Sequence, residues 1–259
     1  MQDVLLSVVI PALNEEKHLS KCLQSIANQE HGEKVNIIIS DNGSTDNTIK
    51  IARRYKYFIA KGSKKGNLAS ARKAGCKKAK TLAKKHKNLE EIIINCDADT
   101  ILSKNYFQTA SKVFKDKNIA AASGPFVINH KQIPIKKFSR TMVKLHYLAC
   151  LLELQLPWML KKMQHNTFLY GANSCIRRSV YEKSGGWDNR FEKAEDLAFS
   201  LKLLKNNYQI TYIDGLSAET SLRKFINKNG NINFKKFYAY CFKDQKVRRG
   251  VRLAKKLFK

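Results

Sequence analysis

Five short apolar runs, separated by segments with helical periodicity, are the feature that most constrains the fold of this chain. The runs are LSVVI at 6–10, VNIIIS at 35–40, YFIA at 57–60, EIIIN at 91–95 and IAAAS at 119–123. They are partly β-branched and do not alternate with polar residues, a pattern typical of parallel strands buried on both faces. Because strands that alternate with helices are joined by right-handed crossovers, we predict an α/β fold with a mostly parallel, doubly wound sheet flanked by helices.

The segments between and after these runs carry further helix and strand signals. Helices are predicted over 14–28, 46–55, 67–87 and 193–207, and further strands over 168–178 and 209–213. In the third helix, residues such as Leu68, Gly75 and Leu82 form one stripe and basic residues occupy the rest, as in an amphipathic helix packed on a sheet. An apolar stretch within 136–160 is interpreted as a core or interfacial helix.

The formal net charge of +28 is unevenly distributed along the chain. From Arg223 to Lys259 there are thirteen Lys and Arg residues against one acid, Asp244. Aromatic and aliphatic residues interleave with these charges, as expected of a basic amphipathic segment at a lipid interface. We therefore predict a basic amphipathic extension over 216–259 that binds an anionic membrane surface, with a solvated lysine-rich surface as the alternative.

Membrane-spanning and disulfide signals are not found in the sequence. No apolar run reaches the roughly 20 residues of a spanning helix, and the first ten residues lack the charged region and cleavage site of a secretory signal. The six cysteines, at 22, 76, 96, 150, 175 and 241, lack metal-binding or disulfide spacing and are predicted to be small buried apolar residues. These features predict a cytoplasmic protein that is peripheral on the inner face of the membrane.

The predicted strand at 91–95 leads directly into two carboxylates, Asp97 and Asp99. Residues two apart in an extended chain point to the same side, and ligands of doubly wound sheets collect at the carboxyl ends of the strands. A divalent cation with oxygen ligands, itself bridging a substrate diphosphate, would remove the repulsion between the two acids. The alternative is a helix-capping role before a helix at 100–114, with Asp99 or Ser103 as the cap.

Four features stand in order along the chain. They are SVVIPALNEE at 7–16, ISDNGSTDNT at 39–48, CDADT at 96–100, and GAN at 171–173 followed by GGWD and AEDLAFSLKL. Together they resemble the inverting GT-A glycosyltransferases of family 2. The resemblance implies a GT-A domain over 1–215, with a nucleotide-sugar-binding half at 1–105 and an acceptor half at 106–215. It also implies metal-dependent, inverting transfer of a sugar from a nucleotide sugar, expected to be a UDP-sugar, to a hydroxyl of a saccharide or lipid-linked acceptor.

The same resemblance assigns residues to the donor site. Those implied to bind the nucleotide sugar are Pro11, Leu13, Asn14, Glu15, Asp41, Arg72, Asp97 and Ala98. Asp41 would accept hydrogen bonds from a uracil N–H or a ribose hydroxyl, and Arg72 would place a guanidinium near the diphosphate. Asp99 is implied as the more direct ligand of Mn²⁺ or Mg²⁺, with Asp97 toward ribose and metal. The alternatives are a hydrogen-bonded turn with a helix cap for DNGSTD at 41–46 and a solvated helix face for Arg72.

On the acceptor side, the resemblance implies that Gly171, Ala172 and Asn173 form the loop that faces the acceptor, where small residues allow close approach. Glu195 and Asp196 match the acidic pair of the family, and Glu195 is assigned to the acceptor side. Asp196 is implied as the catalytic base, since an acceptor hydroxyl must lose its proton as it attacks. The alternative is a pair of acids that favour the dipole of a helix amino terminus.

Two departures from the family pattern qualify the details. The late stretch SAETSLRKF at 217–225 has no histidine to ligate a metal, so Glu219, Thr220 or water would serve, and Arg223 could reach the donor phosphates. The stretch at 245–249 lacks the tryptophan of processive members, which favours single-sugar transfer. The alternative functions are a nucleic-acid-binding protein and a catalytically inactive GT-A scaffold that use the basic surface; no specific nucleic acid is expected as a partner.

Overall fold

The structure is a computed structural model, and it describes residues 4–29, 34–63, 65–128, 168–221, 223 and 245–258. The helix predicted within 136–160 lies outside these ranges. In chain order the elements are β1 (Val4–Ala12), α1 (Leu19–Ala27), β2 (Lys34–Asp41), α2 (Thr48–Arg54), β3 (Phe58–Lys61), α3 (Leu68–Ala83), β4 (Glu90–Cys96), β5 (Ile101–Leu102), α4 (Tyr106–Val113), β6 (Ala121–Ser123), β7 (Phe126–Ile128), β8 (Asn173–Arg177), α5 (Arg178–Lys183), α6 (Glu195–Lys205), β9 (Ile210–Tyr212), β10 (Ala218–Thr220) and α7 (Gln245–Phe258).

The main sheet has seven strands in the order β3-β2-β1-β4-β8-β6-β9. Neighbouring strands are parallel except for β8, which runs antiparallel to both β4 and β6. A small second sheet has the order β5-β10-β7, with β10 antiparallel to β5 and parallel to β7. The prediction of a mostly parallel sheet is confirmed for the described residues. In the second sheet, β10, near the beginning of the 216–259 segment, pairs with β5, the strand that follows Asp99.

Helices cover both faces of the main sheet. On one face Ile92 and Ile94 of β4 belong to a core cluster that includes residues of α1, α2 and α4. On the other face Ile93 belongs to a cluster that includes residues of α3, α5 and α6. Because consecutive side chains of a strand point to opposite faces, a strand covered on both sides is apolar at every position. This arrangement explains why the predicted strands lack alternation.

The segment after Asp99 differs from the sequence prediction. A continuous helix over 100–114 was the alternative reading, but a short strand, β5, comes first and the helix α4 begins only at Tyr106. The helix is preceded by Asn105, and no side chain caps it by a hydrogen bond. The capping role considered for Asp99 or Ser103 is therefore wrong, because pairing of β5 with β10 extends the chain at this point.

The prediction for the cysteines is confirmed within the described ranges. Cys22, Cys76, Cys96 and Cys175 are free and buried, as expected of small apolar residues. No helix in the described part of the chain combines the length and the apolar character needed to cross a membrane. The predicted strand at 168–178 is shorter than expected, since β8 covers only Asn173–Arg177 and α5 begins at Arg178.

Helix α3 approaches β1 closely because it has a glycine at the contact. A Cβ at Gly75 would lie 2.3 Å from Cγ1 of Val9, a fully buried and β-branched side chain. Such a distance requires displacement of the helix or of the strand. Since α3 carries Arg72, the depth at which this helix sits on the sheet also decides where that side chain reaches.

We predict that Gly75→Ala lowers the free energy of unfolding, measured by urea denaturation. Overpacking in a core costs about 1–3 kcal/mol, which exceeds the gain of about 1 kcal/mol from the better helix propensity of alanine. Lys77→Ala, on the exposed side of the same helix, is the control and should change stability little. A Gly75→Ala protein more stable than the wild type would contradict this account of the packing.

Candidate active site

The carboxyl ends of β2, β1 and β4 meet at one edge of the main sheet. Asp41 is the last residue of β2, Glu15 lies three residues after β1, and Asp97 directly follows β4. Because β8 is antiparallel, its first residue, Asn173, pairs with Cys96 at this same edge. The fold therefore brings the predicted donor and acceptor segments to one place.

Hydrogen bonds join the loops that follow β1 and β2. The Asn14 N–H donates to Oγ of Ser44 at 3.0 Å, and the Thr45 N–H donates to Oδ1 of Asn14 at 2.8 Å. The Glu15 N–H donates to Oγ1 of Thr48 at 2.7 Å. These contacts fix the backbone that presents the Glu15 carboxylate to the sheet edge.

Asp41 organises the turn in which it lies. Its Oδ1 accepts from the Ser44 N–H at 3.0 Å and its Oδ2 from the Gly43 N–H at 3.3 Å, so the turn considered from the sequence is present. An ionised carboxylate offers about four acceptor positions, and two of them are used here. Pro11 is buried in β1 and Leu13, after the strand, is half-buried. The contacts of Asp41, Pro11 and Leu13 with a nucleoside remain predictions.

A buried guanidinium joins the two halves of the site. Arg72 Nη2 lies 2.9 Å from Oδ1 of Asp97, and Nη1 donates to Oε1 of Glu195. The arginine is only 1% exposed and Glu195 only 7%. Buried charges of this kind are tolerated only when they are paired and hydrogen-bonded. Arg72 thus connects the first residue after β4 with the first residue of α6.

The neighbours of Arg72 shape the pocket that it fills. A Cβ at Gly171 would lie 2.3 Å from Nη2 of Arg72, so only glycine leaves room for the guanidinium. The ring of Trp187 lies on another side, with its centroid 5.2 Å from Cζ, within the range of a cation–π contact. In this position Arg72 is closed off from solvent, and its guanidinium is already paired with Asp97 and Glu195. A bridging role therefore replaces both the predicted donor contact and the alternative of a solvated helix face.

The electrostatics of this cluster favour the charged arginine. Burial acts to lower the pKa of Arg72, but the charges of Asp97, Glu195 and Asp196 outweigh it and raise the pKa above its usual value. Burial raises the pKa of Glu195 against the opposing charge of Arg72, and the neighbouring Asp196 adds to the rise. Arg72 makes close pairs with two of these acids, Asp97 and Glu195.

Asp196 lies half-buried in the first turn of α6, beside the predicted acceptor loop. Its Oδ1 accepts from the Leu197 N–H at 2.8 Å, and its Oδ2 accepts from the Gly171 N–H at 3.3 Å. The next loop residue, Ala172, is half-buried. The amino terminus of the helix favours negative charge, which agrees with the alternative role of Glu195 and Asp196 as acids that interact with the helix dipole. That reading leaves the contact with Gly171 without an explanation.

Asn173 has a different role from the one predicted. It is fully buried, and its Oδ1 accepts from the Tyr106 hydroxyl at 2.6 Å while its Nδ2 donates to the Leu216 carbonyl at 2.9 Å. An amide that is enclosed and bonded in this way cannot contact an acceptor. It fixes the end of the loop at the beginning of β8 instead, which is a correction to the acceptor-side assignment.

A second guanidinium lies across the donor side. Arg223 Nη1 lies 2.7 Å from Oε2 of Glu15, and its Nη2 lies 2.5 Å from Oε1 of the same residue. The same Nη2 lies 3.2 Å from Oδ2 of Asp99. Hydrogen bonding to Glu15 raises the pKa of Arg223, against the opposing effect of burial. Arg223 therefore connects the acids that follow β1 and β4, much as Arg72 connects those of β4 and α6.

The residues after β4 fit a divalent cation only in part. Asp97 and Asp99 provide the hard oxygen atoms that Mn²⁺ and Mg²⁺ prefer, with buried Ala98 between them. Within the described ranges, no group of three or more His, Cys, Asp or Glu side chains could hold a metal ion. Glu219, a predicted further ligand, has a buried Oε1 with no hydrogen-bond partner in the described part of the chain. The donor set suits a cation that takes its remaining ligands from a diphosphate and water.

Sequence reasoning gave no role to Trp187 or Tyr106. Trp187 follows Gly185 and Gly186, which both have positive φ, so the GGWD motif marks a fixed turn that presents a large aromatic side chain. The two consecutive glycines before Trp187 can be seen in the sequence and indicate such a turn. Tyr106 carries no local signal, because its partner Asn173 is 67 residues away.

Comparison with known proteins supports the family resemblance. The protein-family model for Glycosyl transferase family 2 matches residues 7–185. A relative from Methanococcus voltae, a dolichyl N-acetyl-α-D-glucosaminyl phosphate 3-β-D-2,3-diacetamido-2,3-dideoxy-β-D-glucuronosyltransferase, is 24% identical over 237 residues, covering 86% of this chain and 70% of that protein. The O-antigen chain rhamnosyltransferase WbaN of Salmonella anatum is 27% identical over 204 residues, covering 78% of this chain and 60% of that protein.

Solved structures share the fold. The mannosyltransferase PcManGT from Pyrobaculum calidifontis, in complex with GDP-Man and Mn²⁺, matches with a TM-score of 0.64 at 16% identity, covering 99% of this chain and 69% of that one. S. aureus TarS 1–349 in complex with UDP matches with a TM-score of 0.60 at 16% identity, covering 85% of this chain and 61% of that one. The chain thus spans less than two thirds of some of these proteins. The predicted GT-A type of fold is confirmed.

We predict that Arg72→Met destabilises the protein strongly, by about 3–5 kcal/mol, because removing one partner of a buried ion pair leaves the other charge unpaired. Urea denaturation measures the loss. Adding Glu195→Gln to this variant should restore part of the stability, since the most buried unpaired charge is then removed.

The matched control for this prediction is Arg190→Met, which removes an exposed guanidinium from Asp188 while Lys202 stays 3.9 Å from the same carboxylate. Its stability should stay close to that of the wild type. If Arg72→Met is no less stable than Arg190→Met, the buried guanidinium does not hold the two halves of the site together.

Proposed function

The chain belongs to glycosyl transferase family 2, and from this premise we propose that it transfers a single sugar from a nucleotide sugar to a hydroxyl of a saccharide or lipid-linked acceptor, with inversion at C1. A UDP-sugar is the proposed donor. One observation carries the proposal: acids from three adjacent strand ends and from the first turn of α6 lie at one edge of the sheet, where Arg72 links Asp97 with Glu195 and Arg223 links Glu15 with Asp99.

The donor is proposed to bind across the ends of β2, β1 and β4. In this arrangement Asp41 and the loop of Leu13 to Glu15 hold the nucleoside, and the diphosphate lies toward Asp97 and Asp99. Mn²⁺ or Mg²⁺, held by Asp99 and Asp97, would neutralise charge on the diphosphate. The protein supplies the two carboxylates on a backbone that is buried up to Cys96 and paired on both sides, so their position is set before the donor arrives.

Asp196 is the proposed catalytic base. The acceptor oxygen forms a bond to C1 while the bond from C1 to the diphosphate oxygen breaks, and the bonding electrons leave with the diphosphate. The proton of the acceptor hydroxyl passes to Asp196, whose Oδ2 is oriented by the Gly171 N–H. A single displacement from the face opposite the leaving group inverts C1. Arg72 acts through Asp97 and Glu195 and positions the acids rather than contacting the sugar.

The carboxyl-terminal helix supports a membrane-associated location. Its buried side packs on the body, and a Cβ at Gly250 would lie 2.4 Å from the Lys193 carbonyl, just before the acidic pair of α6. Its exposed side includes Arg248, Arg249 and Arg252. We propose that this basic side binds anionic lipid at the inner face of the cytoplasmic membrane. A relative named for a dolichyl-linked substrate is compatible with a lipid-linked acceptor.

The domain boundaries are part of the same proposal. A GT-A domain over 1–215 would hold the donor in its first half, at 1–105, and the acceptor in its second half, at 106–215. The segment over 216–259 would add the basic helix.

We predict that Asp196→Asn reduces UDP release from a UDP-sugar by about 10²–10⁴-fold, because the acceptor loses its proton acceptor. The variant should keep the rise in melting temperature that UDP and Mn²⁺ produce together, since a ligand that binds the native state stabilises it by mass action. The measurements are a UDP-release assay and a thermal-shift panel of UDP, GDP and their sugars with and without Mn²⁺.

Asp99→Asn is the comparison variant, and it should lose the Mn²⁺-dependent part of the thermal shift. If no nucleotide or nucleotide sugar shifts the melting temperature of the wild type, with or without Mn²⁺, the proposed function is wrong. If Asp196→Asn retains full turnover, another group accepts the proton.

We predict that replacing Arg248, Arg249 and Arg252 by Gln weakens binding to vesicles that contain anionic lipid. Each basic residue near such a surface contributes about 1 kcal/mol, so three together are worth about 100-fold in the partition coefficient. Sedimentation with phosphatidylglycerol vesicles at low salt measures the effect.

The matched control removes the same charge elsewhere, by replacing the exposed lysines Lys84, Lys85 and Lys87 with Gln. It should bind vesicles nearly as well as the wild type. Equal weakening in both triple variants would show that net charge, rather than this helix, governs the association.

A further inference from the structure

Arg223 occupies the side of the donor site where the cation is expected. Its guanidinium contacts both carboxylate oxygens of Glu15 and Oδ2 of Asp99. The two acids are largely shielded from solvent, with side chains 15% and 13% exposed, whereas Arg223 is 31% exposed. Two shielded carboxylates on neighbouring loops repel each other, and the arginine that contacts both offsets that repulsion.

The backbone keeps Arg223 close to this position. It lies three residues after β10, which pairs with β5 immediately beyond the Asp99 loop. Three residues span at most about 10 Å, so the side chain cannot move far from the strand ends. It can, however, change partners within that radius, because its guanidinium is partly exposed and not enclosed like that of Arg72.

A divalent cation and the guanidinium cannot use Asp99 in the same way at the same time. Both are positive, and the guanidinium already lies 3.2 Å from Oδ2 of Asp99, so a metal ion on this carboxylate would be close to a like charge. A donor diphosphate changes the balance, since phosphate oxygens accept a bidentate guanidinium at least as well as a carboxylate does. Transfer of the arginine from Asp99 to the diphosphate would leave the carboxylate to the metal.

We propose that Arg223 is an exchangeable counter-cation of the donor site: without donor it neutralises Glu15 and Asp99 and opposes metal binding, and with donor it moves to the diphosphate and releases Asp99. The proposal rests on the assignment of Asp99 to the metal in the proposed function. Metal and nucleotide then bind cooperatively, and the cooperativity depends on one side chain.

Mn²⁺ binding to the full chain, followed by the electron paramagnetic resonance signal of free Mn²⁺, tests this proposal. Without nucleotide, Arg223→Gln should bind Mn²⁺ about tenfold more tightly than the wild type, within the range usual for coupling between two ligands. Arg223→Lys should lie between them, because an ammonium cannot bond both Glu15 oxygens and Asp99 in one geometry. With saturating UDP, the wild type should tighten more than Arg223→Gln does.

Arg190→Gln is the matched control, as it removes an exposed arginine that is paired with Asp188 instead; it should match the wild type with and without UDP. If Arg223→Gln does not fold, the comparison of Arg223→Lys with the wild type still decides. Equal Mn²⁺ affinities of wild type and Arg223 variants without UDP, while UDP tightens the wild type, would overturn the role of Arg223 alone. No Mn²⁺ binding by the wild type even with UDP would overturn the metal assignment as well.

Discussion

The buried charge of Arg72 is the interaction on which the arrangement of the site depends. Arg72 lies on α3, which packs closely against β1 because Gly75 has no side chain. From there its guanidinium pairs with Asp97 after β4 and with Glu195 at the beginning of α6. A guanidinium enclosed to this degree is tolerable only with partners, and so are the acids around it. The guanidinium of Arg72 therefore requires the end of β4 and the beginning of α6 to stay in register, because displacement of either leaves a buried charge unpaired.

Local sequence patterns predicted the elements better than they predicted the contacts between them. The isoleucines at 92–94 identify a strand buried on both faces, and the structure places them in two core clusters. The segment at 100–114 fits a helix locally, yet pairing with β10, more than a hundred residues later, extends its beginning. Likewise, Arg72 and Glu195 are 123 residues apart, and Glu15 and Arg223 are 208 apart. No local periodicity reports such pairs, so the acids and the two arginines were identifiable from the sequence, while their pairing was not.

The protein uses its two basic residue types in different places. Arginines bond the shielded acids: Arg72, Arg177, Arg178 and Arg223 pair with carboxylates that are mostly buried or half-buried. Two of the lysine pairs in the described part of the chain, Lys80 with Glu182 and Lys246 with Glu192, are exposed on both sides, whereas Lys202 near Asp188 is shielded. A planar guanidinium with five donors satisfies two carboxylates at once and is more weakly hydrated than an ammonium. The large positive charge of the chain is thus mainly a surface property, and a few arginines determine the electrostatics of the site.

Arg72 and Arg223 both pair with acids at the edge of the main sheet. Because the two arginines differ in burial, we assign them different functions. Arg72, at 1% exposure, has no room to leave and keeps Asp97 and Glu195 in fixed positions whatever is bound. Arg223, at 31%, compensates Glu15 and Asp99 in the absence of ligand, and the partly exposed guanidinium can exchange partners at little cost in desolvation. The proposed binding of an anionic donor together with a cation would need both kinds of compensation. A fixed charge preserves the geometry, and an exchangeable one prevents repulsion among the acids until the donor arrives.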